Sequence, residues 1–430
     1  MVGTGIFTTT GFMAGDLGSA SLILWVWVVG ALFAICGALT YSELSVNFAS
    51  SGGEYVYLTE AYGPAWGFVS GWVSFLAGFS APIAAAALAF ANYAGYLIPA
   101  FGSNAHPWMT FGSGAMSFQI GSVQALAVFL IALFTLLNCL GVKRIARIQN
   151  ALTGTKILVI VAFIIAGFLA GTGNWQHFSQ HAIRTSSNTL SVQFIISLVW
   201  VMVGYSGWNA ATYVAEEIQS PRRTLPAAIA AGTCLVTLLY LGLNVVFIYS
   251  TPLESMKGVM AIGSLAASNL FGPGIAGVFA ALMAVSIMST VNAMITIGPR
   301  VYYAMAKNKA FFAMAARVNP TYRTPVGAIL AQGLCAMLMT LTPFPQLVLY
   351  IGFSLTFFTI LAVGSIFLFR RRQGWQRLGA VQVAWPAIPV AYIVIGITTI
   401  GYGFVYSPVA SGASLATIVV GAAVYRLRYK

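Results

Sequence analysis

VGTGIF at residues 2–7 and VGYSGWN at residues 203–209 each set two glycines and a hydroxyl side chain inside an otherwise apolar run. Glycine costs about 1 kcal/mol against alanine in a helix and permits unwinding. An unwound segment bares N–H and C=O groups that hydrocarbon cannot satisfy, so breaks of this kind have to line a polar cavity. One Gly-x-Gly alone would read as close helix packing. Two at matched places in the two halves of a chain, each beside aromatic and hydroxyl residues, instead point to an inverted repeat holding a solute near the bilayer midplane. The first is no dinucleotide fingerprint, because Thr8 stands where the third glycine belongs and no strand precedes it. The second is no nucleophile elbow, because Trp208 fills the last glycine position.

The surroundings of these breaks are those of a membrane protein. Hydrophobic residues make up 59% of the 430 and charged residues 6%, far below the charged fraction of a water-exposed surface. A span needs about 20 apolar residues, and the runs supply about twelve: 3–15 (short), 20–47, 65–98, 120–141, 150–171, 190–217, 226–250, 273–306, 325–342, 345–369, 383–404 and 410–425. The runs are continuous rather than alternating, which excludes a β-barrel. The expected fold is therefore an all-α integral membrane protein.

The net charge of +13 suggests nucleic acid until its distribution is read. If the first span leaves the cytoplasm, the inner loops hold 17 of the 20 lysines and arginines, from Lys143, Arg144 and Arg147 to Arg370–Arg372 and Lys430, and the outer loops hold only Arg184 and Lys257. That asymmetry is the positive-inside pattern; it places both termini in the cytoplasm and removes a nucleic-acid partner. Lys156 remains, well inside the fifth span, where an ionisable residue is costly and functional by default. Snorkelling to the interface is the alternative. Cys36, Cys139, Cys234 and Cys335 fall in separate spans and read as buried free thiols. His106, His177 and His181 fall in outer loops without metal-ligand spacing. No metal, cofactor or catalytic nucleophile–base–acid set is expected, so the chain is not read as an enzyme.

Paired breaks suit a zwitterion. Amides at the start of a resumed half-helix attract a carboxylate, and free carbonyls ending the preceding half-helix attract an ammonium. Gly3, Thr4 and Gly5 are the candidates for the first and the carbonyls near Val203 and Ser206 for the second, with Ile6, Gly204, Tyr205 and Gly207 completing the candidate substrate site. Glu43, Glu54, Glu60, Glu216 and Glu217 lie toward the cytoplasmic side, where pairing with basic loops to latch an inner gate is favoured over substrate contact. Without a carboxylate or extra arginine at the midplane, small or medium neutral amino acids fit best.

The run GYSGWNAATYVAEEIQSPRRTLPAAI at 204–229 resembles the sixth helix and following loop of L-type amino acid transporters, a branch of the amino acid-polyamine-organocation superfamily. GALTYSELSVNFASSGGEYVYLTEAYGP at 37–64, GVKRIARIQNALTGTKILVI at 141–160 and the region ending in FLFRRR at 367–372 agree. The resemblance implies five plus five inverted helices with helices 1 and 6 discontinuous, a first repeat over 1–171, a second over 190–372, and two more helices over 383–430. It implies a backbone site at Gly3–Gly5 and at Val203, Ser206 and Gly207. It also implies a tyrosine near the unwound region at Tyr240, with Asn244 one turn on facing the same way. Lys156 stands where sodium-coupled relatives hold a cation, which implies sodium-independent exchange by alternating access; a proton symporter, a carrier of cationic amino acids or polyamines, and a non-transporting sensor are the alternatives. Three departures follow. The family has residues before Met1 that complete helix 1, so that helix is partial here. Val203 replaces an aromatic that closes over substrate, leaving a looser or relocated gate, with Trp200 as its replacement. The outer loop at 99–119 lacks the cysteine by which animal members bind a glycoprotein subunit, implying a chain that works without one, as a monomer in the cell membrane.

Overall fold

The computed structural model describes residues 1–48, 50, 52–101, 106–112, 117–169 and 171–429; the side chains of 142–148, 214, 217 and 429 lie outside the description. The helices are α1 (Thr4–Leu17), α2 (Ala20–Asn47), α3 (Glu54–Tyr62), α4 (Pro64–Val73), α5 (Ala81–Leu97), α6 (Ser122–Cys139), α7 (Val142–Leu169), α8 (Leu190–Tyr205), α9 (Pro221–Ser250), α10 (Leu253–Met256), α11 (Ile262–Phe271), α12 (Pro273–Lys307), α13 (Val326–Met339), α14 (Phe344–Phe369), α15 (Gly379–Gln382), α16 (Ala387–Tyr406) and α17 (Pro408–Tyr429). Strands β1 (Met109–Phe111) and β2 (Phe118–Ile120) pair antiparallel in the loop expected at 99–119, the second reaching the first residue of the span expected from 120.

Among the described residues nine helical segments are long and apolar enough to cross a membrane, and α8, α11 and α13 are shorter apolar helices. Their outward faces carry Phe129, Leu158, Leu238, Leu338, Ile397 and Val405, each more than half exposed. A helix apolar all round suits lipid outside and protein inside. The packing pairs elements from the two halves: α1 lies on α8, α2 on α9, α5 on α12 and α6 on α13. The last helices, α16 and α17, pack on α14 and on one another.

Three expectations need correction. The span read over 190–217 is helical only to Tyr205; a turn and a 3₁₀ segment, Ala210–Glu217, follow. The span 65–98 contains a π-helical stretch, Ser74–Ser80, between α4 and α5; such π segments are often found at functional sites. The cysteines are free, but Cys234, on α9, is exposed rather than buried, and the other three are only half-buried. Of the basic residues counted above, Lys143, Arg144, Arg147 and Lys430 lie outside the described side chains.

Two loop faces result. On one, Glu43 at the end of α2 is fully buried and accepts from Arg370 Nε (2.7 Å) and Nη2 (2.6 Å), from Trp375 Nε1 (2.9 Å) and from the Leu378 amide (3.0 Å). Glu60 and Arg372 pair at 3.4 Å on the exposed rim. Glu43 and Glu60 thus each pair with an arginine on this face. On the opposite face, loop amides bond the far end of α1: Gly258 N to Gly11 O, Thr185 N to Gly15 O and Ala182 N to Gly18 O, at 2.9–3.0 Å.

Candidate functional site

A cavity of about 440 Å³ lies where α1 begins and α8 ends. Gly3, in extended backbone, caps α1 without a side-chain bond to the first turn, so the leading amides have no intrahelical partner. Gly3, Thr4 and Gly5 line the cavity, and the positive end of the helix points at it. Thr8 and Thr9 turn their hydroxyls back on the carbonyls of Thr4 and Gly5 (2.8 and 2.7 Å).

Gly5 has a second role. A Cβ there would overlap the Cα of Gly204. The two breaks approach backbone to backbone, so the packing reading of Gly-x-Gly and the cavity-lining reading both apply to this residue. On α8, the chain leaves the helix through Ser206 (ψ 156°) and Gly207 (φ +90°); the latter is a left-handed conformation that glycine adopts without strain.

Several expected contacts are redistributed. The Val203 carbonyl, expected to accept an ammonium, already takes the Ser206 amide (3.1 Å) and the Ser206 hydroxyl (2.7 Å), which uses both lone pairs. The Gly204 carbonyl receives the Tyr240 hydroxyl (3.0 Å). The Ser206 carbonyl accepts no hydrogen bond from the described residues. Ile6 and Tyr205 are buried away from the cavity wall; Tyr205 packs on Trp27 and Tyr240. Tyr240 Oη also lies 2.8 Å from the Met1 carbonyl, which places it at the start of α1. Asn244 does not reach the cavity: Thr10 donates to its Oδ1 (2.7 Å) and its Nδ2 bonds Tyr240 O (2.8 Å). Glu216 is exposed, beyond the cavity wall, and the Glu217 side chain lies outside the described residues.

Lys156 is 5% exposed. Its Nζ donates to Val2 O (2.7 Å) and to Thr290 Oγ1 (3.0 Å) on α12, which removes the snorkelling alternative. A buried ammonium held by a carbonyl and a hydroxyl ties α7 to the residue preceding the N-cap of α1. Trp200 stacks on Phe12 (5.2 Å between centroids), and Phe12 on Phe344 (6.2 Å). Phe344 lines the cavity, while Trp200 precedes Val203 by about one turn. Of this stacked trio only Phe344 is part of the cavity wall. Phe12 and Phe344 were not singled out from the sequence, since each reads as one apolar residue among many.

The chain matches the amino acid permease family over residues 1–424. It belongs to that family. The permease is 26% identical to the serine/threonine exchanger SteT of Bacillus subtilis, over 99% of this chain and 92% of that one. It is 28% identical to the large neutral amino acids transporter small subunit 2 of Homo sapiens (99% and 77%) and 28% identical to the Asc-type amino acid transporter 1 of Mus musculus (99% and 78%). The permease is thus a multi-pass membrane transporter and not an enzyme, as expected from the resemblance. Asn209 and Tyr213 also line its cavity. In the sequence both fall within GWNAATY, a stretch that carries the family resemblance without marking either residue as a wall of the site.

Proposed function

We propose that this permease exchanges small or medium neutral amino acids across the cell membrane, independently of sodium, by alternating access. The observation that carries the reading is the meeting of the two breaks in one cavity: donor amides of α1 face a carbonyl-rich turn ending α8, with Lys156 fixed beside them. The substrate carboxylate binds the amides of Thr4 and Gly5, and its ammonium binds the Ser206 carbonyl in place of Val203. Lys156 supplies a standing positive charge at the start of α1, so no bound metal cation is needed there. The names of two of the relatives, one a large neutral amino acids transporter and one a serine/threonine exchanger, agree with this substrate class.

The pairing of α1 with α8, α2 with α9, α5 with α12 and α6 with α13 supports a division into two five-span repeats, 1–171 and 190–372, with 383–430 supplying the last two of twelve spans. The phenyl–indole–phenyl stack of Phe12, Trp200 and Phe344 serves as the outer gate, and the Glu43–Arg370 pair as part of the inner one. Both termini lie in the cytoplasm. The carrier works as a monomer without a glycoprotein subunit.

Uptake of a radiolabelled amino acid panel into proteoliposomes tests this, with and without unlabelled amino acid inside, with and without sodium, and with and without a proton gradient. Uptake that requires internal amino acid and ignores both sodium and the gradient is expected. Gradient-driven uptake into empty vesicles would instead make the carrier a proton symporter, with Lys156 as the leading proton carrier.

A further inference from the structure

Glu54 is an acidic residue outside the Glu43–Arg370 and Glu60–Arg372 pairs. It opens α3 and is 4% exposed, and its carboxyl meets no lysine or arginine among the described residues. Instead Oε1 accepts from Tyr41 Oη (2.9 Å) on α2 and from Asn209 Nδ2 (2.5 Å), in the turn that follows α8. The same Nδ2 donates to Tyr213 Oη (3.0 Å). With Oε1 accepting, the amide atom of Asn209 that faces it is nitrogen. Both Nδ2 hydrogens are then used, and Oδ1 is the atom of Asn209 left for the cavity, whose wall includes this residue but not Glu54.

We propose that Glu54 is a positioning residue that locks the amide of Asn209 with its oxygen toward the cavity. This makes that end of the site select amino acids whose side chain carries a hydrogen-bond donor over isosteres that lack one. The assignment rests on the amino acid transport reading above. An amide free to turn over would present donor and acceptor alike, and the site would not distinguish the two kinds of side chain. Threonine and valine are the natural pair for the question, because they differ by a hydroxyl in place of a methyl.

The experiment measures competition by threonine and by valine against a carried labelled amino acid in proteoliposomes, with size-exclusion and thermal unfolding to verify folding. For the native chain, threonine should compete roughly tenfold better than valine, the scale of one buried hydrogen bond. Glu54→Gln keeps an acceptor oxygen and should keep most of that ratio; Glu54→Leu should bring it within about twofold of unity. Asn209→Asp sets two carboxylates against each other and should weaken both competitors. The double variant Glu54→Gln, Asn209→Asp lets the glutamine amide donate to one aspartate oxygen and turn the other to the cavity, so the threonine preference should return. A native ratio near one, an unchanged ratio in Glu54→Leu, or a double variant no better than Asn209→Asp alone would overturn the assignment. No uptake of any amino acid by the native chain would strike the transport reading itself, whereas uptake with an unaltered ratio strikes only the role of Glu54.

Discussion

Gly3 and Gly5 stand two residues apart and carry different constraints. A Cβ on Gly3 would meet the nearest atom, Thr290 Cγ2, at 3.4 Å, an ordinary contact, whereas a Cβ on Gly5 would meet the Gly204 backbone. Backbone cannot step aside as a side chain can, and overpacking costs typically about 1–3 kcal/mol. Gly5→Ala should therefore lower the unfolding temperature of the solubilised protein and reduce uptake tenfold or more, while Gly3→Ala leaves both close to native. Equal behaviour of the two variants would deny the close approach of α1 and α8. Lys156 poses a separate question, since its ammonium holds the Val2 carbonyl and Thr290. Removing one member of a buried polar set leaves the others unpaired. Lys156→Ala should abolish uptake or uncouple it while the protein still reaches the membrane and elutes as a single species. Native kinetics in that variant, with native pH dependence, would remove the lysine from the mechanism.

At the scale of elements, two ion pairs on one loop face differ by burial. Glu43 is enclosed and uses four donors; Glu60 and Arg372 are about half exposed. Removing one partner of a buried pair costs about 3–5 kcal/mol, while an exposed pair contributes about 0–1 kcal/mol. Arg370→Ala should thus lower the unfolding temperature markedly and Arg372→Ala hardly at all, a contrast that thermal denaturation in detergent reads directly. The same contrast explains what the sequence could convey. Long apolar runs such as 20–47 mark their helices because span length is set by the bilayer. The break after Tyr205 was legible because glycines at 204 and 207 violate that rule. The short α11, the π stretch at Ser74–Ser80 and the β-hairpin were not, since no periodicity of their own announces them. Likewise Glu54 read as one of several acids near a basic face. Only the fold brings it to Asn209, 155 residues on.

At the scale of the molecule, the decisive asymmetry is charge. The loop face holding Glu43 and Arg370 also carries Arg371, Arg372 and Arg377, whereas the face that ties down α1 carries Arg184 and Lys257. Basic loops resist translocation, so the prediction is that the face rich in them stays on the side of synthesis. Exposed positions on each face allow a direct reading: Ser187 lies in the loop before α8 and Gln373 in the loop after α14. With the four native cysteines replaced by alanine, a membrane-impermeant maleimide added to intact cells should label Ser187→Cys and should label Gln373→Cys only after permeabilisation. This orientation puts the Phe12–Trp200–Phe344 stack between the substrate and the outside, and the Glu43–Arg370 pair on the inner side. The opposite labelling would exchange the two gates: the aromatic stack would then govern release to the cytoplasm, and the buried ion pair would guard the outer entrance.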